Sequence, residues 1–510
     1  MKYLYLLSLF ILAGGLTSCA SFERYRVLYN DRIESGNFED ATRLIENKRF
    51  YKKDRNAVLR YLELGALARM QGDLAKSNEY LNKADYLIED RRASLGAQGL
   101  AVVSNPRVLP YQTEYFENIA VHYLKSLNYL QLNDVSAARV EARRTNIRLQ
   151  ELNDAVPDKP LKYRDDVLGH ITMGLSYEMN GEWNNAFIAY RNATELFLEE
   201  GKEQPYMGVR MPGQLKCDLV RIADQLGFAN EASRYRRLLN PRCKDDLGEG
   251  GALVLFWENG QGPIKEENII GFDVVRRGDR SQVRFVNNRM GMQYDYGEDI
   301  YNEYNGFEGI NNIRLALPAF RAREFPLHRA DIKYPGGLQR MELLEDLNVV
   351  AEQSLRDRFG RELGSALLRL AAKEAIEAGL RSIKTKKKDD EGDKDEGKEK
   401  SKADKDDDEE YDETLGLILG TTMSIVNAAT ERADIRSWQT LPAEIYYQRV
   451  PLKRGANEIR VTFYNQYNQR LEEHHLRING DGGLEVRHLT TPDSRVIEPA
   501  SLQKSKPIQP

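Results

Sequence analysis

"MGLSYEMNGEWNNAFIAYRNATEL" spans residues 173–196, and it decides the fold of the N-terminal half of the chain. Apolar residues recur with helical spacing on both sides of Gly181, which predicts two helices joined by a tight turn. Gly174 and Ala186 are small residues that let the two helices cross closely. Large residues fill the space between one hairpin and the next, and Tyr190 lies on the second helix. The stretch therefore predicts a helical hairpin that packs against similar neighbours.

The same pattern recurs elsewhere in the first half of the chain. Four further copies have a turn residue, an apolar residue two positions on and a small residue five positions on: Gly36, Phe38 and Ala41; Gly72, Leu74 and Ser77; a degenerate Asn133, Val135 and Ala138; and a weak Gly227, Ala229 and Ala232. One hairpin cannot bury its own apolar face, so successive hairpins stack. The pattern is similar to the tetratricopeptide repeat (TPR). The alternative is a set of helical hairpins without superhelical stacking.

Stacked repeats of this kind leave a concave face lined by the first helix of each hairpin. The repeat spacing assigns five candidate residues to this groove: Arg26, Asn30, Arg69, Tyr123 and Ile171. The set is mixed in character and departs from the clamp of Lys, Asn and Arg that some repeats use to hold a terminal carboxylate. An apolar peptide or a neighbouring domain would suit the groove better. The alternative is that these side chains pack against other helices.

The N-terminus has an apolar run that is too short to span a membrane and is followed by Leu16-Thr17-Ser18-Cys19. This tetrapeptide resembles the bacterial lipobox, in which the cysteine thiol receives a diacylglycerol before the signal is cut. We expect residues 1–18 to be a lipoprotein signal peptide and Cys19 to be lipidated, since two or more acyl chains anchor stably. By resemblance to enteric sorting, Ala20 favours the outer membrane, facing the periplasm. The alternative is an ordinary signal peptide with a chance cysteine.

The remaining cysteines, Cys217 and Cys243, flank a predicted helical hairpin. Antiparallel helices bring their outer ends together, and a secreted protein folds where disulfides form. The pair is therefore placed for a disulfide, although two unrelated thiols would fit the sequence as well.

The second half of the chain changes to strand-like alternation. Strands are predicted at 252–257, 281–287, 313–320, 329–334, 443–452, 457–465 and 470–478, with a helix from about Met341 to Ile383. Residues 384–413 are lysine- and acid-rich and lack large aliphatic side chains, so they predict a disordered insertion. The predicted domains are a signal peptide (1–18), helical repeats (19–245), strands and a long helix (246–383), the insertion (384–413), a helix and strands (414–490) and a flexible tail (491–510). The fold class is α+β: a TPR-like α-solenoid, then a β-sandwich-like domain with packed helices.

The sequence contains no recognisable catalytic or metal-binding motif. The six histidines have no metal-ligand spacing, and we expect no cofactor. The formal net charge of −5 gives no reason to expect a nucleic-acid partner. A candidate polar cluster in the second half comprises Glu258, Lys265, Arg369, Lys373, Asp434, Arg436 and Trp438. We expect Asp434 to face Arg369 or Lys373, either as a structural ion pair or as part of a ligand site.

Five stretches together resemble a functionally uncharacterised family of bacterial TPR-repeat lipoproteins. They are "HYLKSLNYLQLNDVSAARVEARR" (122–144), "LVLFWENGQGPIKEE" (253–267), "LALPAF" (315–320), "LLRLAAKE" (367–374) and "ADIRSWQTLP" (433–442). The resemblance implies an envelope lipoprotein with helical repeats followed by a β-containing domain, and it supplies no catalytic residues. The charged insertion and the tyrosine-rich stretch 294–308 depart from the family pattern.

These observations favour a lipid-anchored, non-catalytic scaffold that binds another cell-envelope protein through its repeat groove. One alternative is a cell-wall or glycan-associated protein that binds through its β domain. A less favoured alternative is a hydrolase of unrecognised type.

Overall fold

The structure is a computed structural model that describes residues 19–95, 106–154, 162–243, 247–277, 282–289, 292–296, 312–367, 369, 432–492 and 506–507. The predicted signal peptide, the charged insertion, residues 414–430, which include the helix predicted for region 414–490, and Lys373 lie outside these residues. Within them, no helix combines the length and the apolar character that a membrane crossing requires.

Helical hairpins make up the N-terminal half. Its helices are α1 (Cys19–Glu34), α2 (Phe38–Asn47), α3 (Arg49–Lys52), α4 (Ala57–Met70), α5 (Leu74–Leu95), α6 (Tyr115–Gln131), α7 (Val135–Asp154), α8 (Val167–Met179), α9 (Trp183–Glu195), α10 (Gly213–Gln225) and α11 (Ala229–Leu239). Helices α4 and α5, α6 and α7, α8 and α9, and α10 and α11 pack as antiparallel pairs. Contacts of α5 with α6, α7 with α8, and α9 with α10 join each pair to the next. The first half is therefore a stack of helical repeats.

The turns between paired helices need a left-handed backbone. Gly72 has a φ of +81° and Gly181 a φ of +71°. Asn133, the degenerate turn residue of the sequence pattern, has a φ of 57° and takes the place of glycine. Asparagine is one of the few other residues that adopt this conformation readily. The degenerate copy therefore forms the same type of turn as the glycine copies.

Gly174 marks the closest approach of α8 and α9. A Cβ atom built there would lie 2.5 Å from the ring of Tyr190. The Tyr190 ring is fully buried, and its hydroxyl donates a hydrogen bond to Glu178 Oε2 at 2.9 Å, so it has little freedom to move. The glycine is therefore required by packing between the helices rather than by its backbone conformation.

We expect Gly174→Ala to lower the free energy of unfolding by about 1–3 kcal/mol, because overpacking outweighs the better helix propensity of alanine. Urea unfolding followed by circular dichroism measures the change. Gly360→Ala is the matched control, because nothing lies within 4 Å of its added Cβ. Equal stability of the two variants would show that α8 and α9 do not cross as closely as described.

A disulfide joins Cys217, in α10, to Cys243, just beyond α11. The two Cα atoms are 5.5 Å apart, within the range that a disulfide spans without backbone movement. The bond closes the last hairpin at its outer ends, as the sequence pattern predicts.

Three open sheets form most of the part of the C-terminal half that the structure describes. Their strands are β3 (Ala252–Asn259), β4 (Ile264–Arg277), β5 (Gln282–Asn287), β6 (Met292–Tyr296), β7 (Asn312–Arg321), β8 (Arg329–Tyr334), β9 (Gly337–Arg340), β10 (Glu342–Asp346), β11 (Glu444–Pro451), β12 (Gly455–Tyr464), β13 (Arg470–Gly480), β14 (Leu484–Thr491) and β15 (Lys506–Pro507). The strand orders are β10-β11-β3-β14 for the inner sheet, β15-β13-β12-β8-β9 for the outer sheet and β6-β5-β4-β7 for the side sheet. A short hairpin of β1 (Leu198–Glu199) and β2 (Lys202–Glu203) belongs to the helical half.

The inner and outer sheets share an apolar layer. Trp257 of β3 packs against Phe463 of β12, with ring centroids 5.0 Å apart, and stacks on Tyr446 at 4.4 Å. The side sheet is separate in its hydrogen bonding, and none of the sheets formed by the described residues closes on itself. The prediction of one β-sandwich-like domain is therefore not confirmed; the described strands form an open, layered arrangement.

The predicted helix from Met341 starts too early. Residues Glu342–Asp346 form β10, which pairs antiparallel with β11. Helix α12 (Leu347–Asp357) begins only afterwards, and the Asp346 side chain accepts a hydrogen bond from Asn348 N at 2.9 Å as its N-cap. Pairing along an available strand edge overrode a helix-like spacing of leucines, which local periodicity alone does not reveal.

Candidate functional site at the junction of helices and sheets

The face formed by the first helices of the hairpins is covered by the inner sheet. Helix α6 contacts β14, α8 contacts β10 and α10 contacts β11. Ring contacts join the two halves as well, since Tyr123 of α6 packs edge-on against Phe256 of β3 at 6.2 Å. The face predicted as a concave groove is therefore occupied by the chain itself.

This arrangement determines the burial and the contacts of the predicted groove residues. Arg69, Tyr123 and Ile171 are buried, with at most 3% of each exposed. Arg26 donates a hydrogen bond to the Lys265 carbonyl at 3.4 Å, and Asn30 is half-buried. The prediction that these residues offer an open groove to another protein is wrong for this structure. Of the uses considered from the sequence, the neighbouring domain is the one observed.

Glu258 joins the sheet to two helices through buried polar contacts. Arg69 Nη2 lies 2.8 Å from Glu258 Oε1, and the Tyr123 hydroxyl donates to the same oxygen at 2.9 Å. Thr490 of β14 donates to the other carboxylate oxygen at 3.1 Å. Burial alone would raise the pKa of Glu258, but the Arg69 guanidinium outweighs it and lowers the pKa to about 2. We call Arg69, Tyr123 and Glu258 the central lock.

A second group of buried charges lies at the other end of the inner sheet. Arg449 of β11 is fully buried; its Nη2 lies 3.0 Å from Glu178 Oε2 and its Nε 2.9 Å from Asp218 Oδ1. Tyr447 also donates a hydrogen bond to Asp218. Burial raises the pKa of Glu178, but Arg449 and Arg221 overcome this and hold the pKa at about 2. We call Arg449, Glu178 and Asp218 the distal lock.

The segment 433–442, "ADIRSWQTLP", binds the helices through its backbone. Trp438 N donates to Glu117 Oε1 at 2.8 Å, and Gln439 N donates to Glu63 Oε1 at 2.9 Å. Burial, reinforced by the nearby Glu114, raises the pKa of Glu117 to about 7. This stretch of the family resemblance therefore attaches the C-terminal half to α4 and α6.

The residues of the predicted polar cluster lie in several separate parts of the structure. Asp434 pairs with Arg436, with Arg436 Nη2 2.6 Å from Asp434 Oδ2. The predicted partner Arg369 is therefore not the one found for Asp434 among the described residues, and the alternative partner, Lys373, lies outside them. Glu258 belongs to the central lock. Lys265 instead lies with its Nζ 2.5 Å from Glu114 Oε1. Sequence proximity of Glu258 and Lys265 did not bring them together, because they belong to different strands, β3 and β4.

A cavity of about 560 Å³ lies beside segment 433–442 and between the helices and the side sheet. Lys265, Arg369 and Asp434 from the predicted cluster all line it. Glu114 lies in its wall, where Arg358 Nη2 donates a hydrogen bond to Glu114 Oε1 at 2.6 Å. Burial raises the pKa of Glu114, but Arg358 and Lys265 outweigh it and bring the pKa to about 2. The structure thus assembles three of the predicted residues around one space.

One buried group has the composition of a metal site. Asp85, His122 and Glu141 place ligand atoms within 4.8 Å of one another. Lys125 Nζ, however, lies 2.9 Å from both Asp85 Oδ2 and Glu141 Oε2. The ammonium group supplies the positive charge at the position that a metal ion would take. The arrangement fits an internal ion cluster between α5, α6 and α7 rather than a metal centre.

His488 gives the junction a dependence on pH. Its Nδ1 lies 2.9 Å from Gln131 Oε1, so β14 is bonded to α6. Burial and then the nearby Arg69 lower the pKa of His488 to about 3. This histidine is neutral in the folded protein but becomes protonated in the unfolded chain. Its contribution to the stability of the fold is therefore lost as the pH falls from about 6.5 towards 3.

We expect the stability advantage of the natural chain over His488→Gln to shrink by about 2 kcal/mol between pH 7 and pH 4.5. Subtracting the unfolding free energies of the two proteins removes the opposing pH dependence that buried carboxyl groups such as Glu117 give to both. Urea unfolding at each pH measures the difference. A difference that stays constant across this range would contradict the assigned neutral state.

Comparison with known proteins identifies no family for this chain. The chain matches no known family model and no curated protein. Solved structures similar to part of it include MamA (TM-score 0.27, 17% identity, 42% of this chain and 94% of that one) and a second MamA structure (0.27, 17%, 42% and 88%). Another is a candidate kinesin light chain from Podosopora anserina with nearly identical TPR-like repeats (0.28, 13%, 43% and 93%). At such scores the helical-repeat assignment rests on this chain's own hairpins and their stacking.

Proposed function

We propose that this protein is a lipid-anchored, non-catalytic scaffold of the bacterial cell envelope that binds another envelope protein with its outer surface. The observation that carries the proposal is the central lock, in which Arg69 and Tyr123 bind Glu258 of the chain's own sheet. Because the first-helix face is filled, the repeats hold the β strands in place. The partner therefore binds outside the face that the sequence pattern favoured.

The position of α1 supports an anchor close to the folded body. The helix begins at Cys19, the residue expected to carry the lipid. A diacylglycerol on this residue would hold the helical half next to a bilayer without an intervening linker. The Cys217–Cys243 disulfide also supports an oxidising compartment such as the periplasm. The outer membrane remains the proposed location on the grounds of the Ala20 sorting resemblance.

Exposed apolar side chains on the second helices offer a surface for a protein partner. Tyr86 of α5 is 70% exposed and lies beside Val140 of α7, which is 46% exposed. Ile147, seven residues or about two helical turns further along α7, is 50% exposed. Tyrosine side chains that combine an apolar ring with a hydroxyl often dominate binding between proteins. We call Tyr86, Val140 and Ile147 the outer patch.

Photo-crosslinking in intact cells tests which surface the partner uses. A benzophenone amino acid at Tyr86 should give a discrete adduct with one envelope protein, identified by mass spectrometry. The same residue at Tyr123, in the filled face, should crosslink only within the chain. An adduct with another protein from position 123 and none from position 86 would show that the partner displaces the sheet, which contradicts the proposal.

Two further experiments test the lipid anchor and the glycan-binding alternative. Cys19→Ala should release the protein from membranes or stall its processing, whereas an unchanged membrane fraction would contradict the anchor. A crosslinker at Tyr467, which is 73% exposed in the turn between β12 and β13, probes the β strands. Adducts with cell-wall glycan from this position, and none with protein from position 86, would favour the glycan-binding alternative.

A further inference from the structure

A short run of basic residues follows the first helical hairpin. Residues 48–55, "KRFYKKDR", contain five lysine or arginine side chains and one acid, Asp54. The chain as a whole has a formal net charge of −5, so this run is a local excess of positive charge against the overall composition. Three of its cations, Arg49, Lys52 and Lys53, are exposed, and we call them the basic patch.

The fold holds the basic patch together without neutralising it. Arg49 and Lys52 belong to the single turn of α3, and Tyr51 between them is buried, which fixes this turn on the body. Limited burial, and then the charges of Arg55 and Arg49, lower the pKa of Lys53, so these cations lie close together. Within the part of the chain that the structure describes, the three patch residues form no ion pair with a carboxylate.

Two acidic residues lie in or next to the run, and neither cancels its charge. Asp54 is exposed, and Arg91 Nη2 donates a hydrogen bond to its carbonyl at 2.5 Å, so a further cation lies beside this acid. Glu46 is exposed near the end of α2. With five cations against these two acids, residues 46–55 keep a net charge of +3. Such an excess attracts an anionic surface.

The basic patch lies at the same end of the first hairpin as Cys19. The turn at Gly36 folds α2 back along α1, and the end of α2 returns beside the first half of α1. Lys48 Nζ accordingly lies 5.5 Å from the centroid of the Tyr25 ring. Tyr25 follows Cys19 by six residues, about 9 Å along the helix axis. The basic run therefore starts about 9 Å from the level of Cys19, which is comparable with the Debye length of about 8 Å at physiological salt.

We propose that the basic patch binds the anionic phospholipid headgroups of the bilayer that holds the lipidated Cys19. The proposal rests on the lipid anchor proposed above, because the anchor brings this kind of surface, and no other polyanion, beside the patch. An anchor at one residue leaves the folded body free to tilt, and a second contact nearby fixes its orientation. Each Lys or Arg near an anionic bilayer strengthens binding about fivefold.

Vesicle binding by the full mature chain without its lipid tests the patch separately from the anchor. The protein spans residues 19–510 and carries Cys19→Ala. The vesicles contain either phosphatidylcholine alone or equal parts of phosphatidylcholine and phosphatidylglycerol. At about 0.05 M salt the protein should sediment with the anionic vesicles and not with the neutral ones, and about 1 M salt should release it.

Equal binding to both kinds of vesicle, or binding to neither, would overturn the proposal. Such a result would not bear on the anchor, because this chain carries no acyl group. The anchor is tested in cells, where Cys19→Ala should leave membranes that have been washed with high salt. Failure of the patch is therefore distinguishable from failure of the anchor.

Neutral substitutions supply the matched variants. Arg49→Gln, Lys52→Gln and Lys53→Gln together should weaken binding to the anionic vesicles about 100-fold, because three cations are lost. The fold stays intact, since all three side chains are exposed. The control removes the same net charge from exposed positions on α11 and in the turn after β11: Arg237→Gln, Lys453→Gln and Arg454→Gln. It should bind like the chain with the patch intact, whereas an equal loss in both variants would show that overall charge, and not the basic patch, attracts the bilayer.

Discussion

Glu258→Gln is expected to lower the free energy of unfolding by about 3–5 kcal/mol, because it leaves a buried guanidinium without its counter-charge. Arg69 is 3% exposed, and its hydrogen bonds are made to Glu258 and Asn128, so no solvent replaces the lost carboxylate. The Tyr123 hydroxyl loses a charged acceptor at the same time. Chemical denaturation at pH 7 measures the change.

Glu249→Gln is the control for this prediction. Glu249 is exposed and lies shortly before β3, and surface substitutions usually change stability by at most about 0.5 kcal/mol. The two variants make the same chemical change a few residues apart. Similar stabilities for both would mean that the sheet does not bury Glu258 against the helices.

Arg449→Met is expected to be at least as destabilising, by about 5 kcal/mol, because it removes the cation between two buried carboxylates. Asp218 is fully buried and Glu178 is 6% exposed. Arg221 remains close to both carboxylates, with Nη1 2.9 Å from Glu178 Oε1, but it cannot replace the contacts that Arg449 makes from the sheet. Thermal or chemical unfolding detects the loss.

A second substitution separates lost charge pairing from lost packing. In a chain that carries Asp218→Asn, Arg449→Met should cost about 2 kcal/mol less, since one of the two orphaned charges is gone. Arg454→Met, at an exposed turn after β11, should have little effect. If the cost of Arg449→Met is unchanged by Asp218→Asn, the distal lock does not act through charge.

The hairpins were predictable from the sequence because their signals are local. A turn glycine such as Gly181 and a small residue such as Gly174 lie within one repeat, and each acts on contacts a few positions away. The strand predicted at 470–478 is likewise a local feature, because it is recognised from its own residues and not from its partner strand. Among the described residues, helix-like leucine spacing failed where β10 finds a strand edge supplied by β11, about 100 residues later.

The buried charge pairs of the candidate site could not be predicted from the spacing of residues along the sequence. Arg69 and Glu258 are 189 positions apart, and Glu178 and Arg449 are 271 positions apart. One signal did point to the filled groove. The run Ala252–Trp257 is apolar at every position, which is typical of a strand covered on both faces. One face of this strand packs against the outer sheet, so another layer had to cover its second face. That layer is the first-helix face.

The coupling energy between Arg69 and Glu258 tests most directly whether the sheet fills the first-helix face. The double-mutant cycle uses Arg69→Met, Glu258→Gln and the pair together, with the free energy of unfolding measured for all four proteins. Two side chains in contact should give a coupling energy of about 2–3 kcal/mol. A coupling energy near zero would mean that the two residues do not meet and that the sheet does not fill the first-helix face.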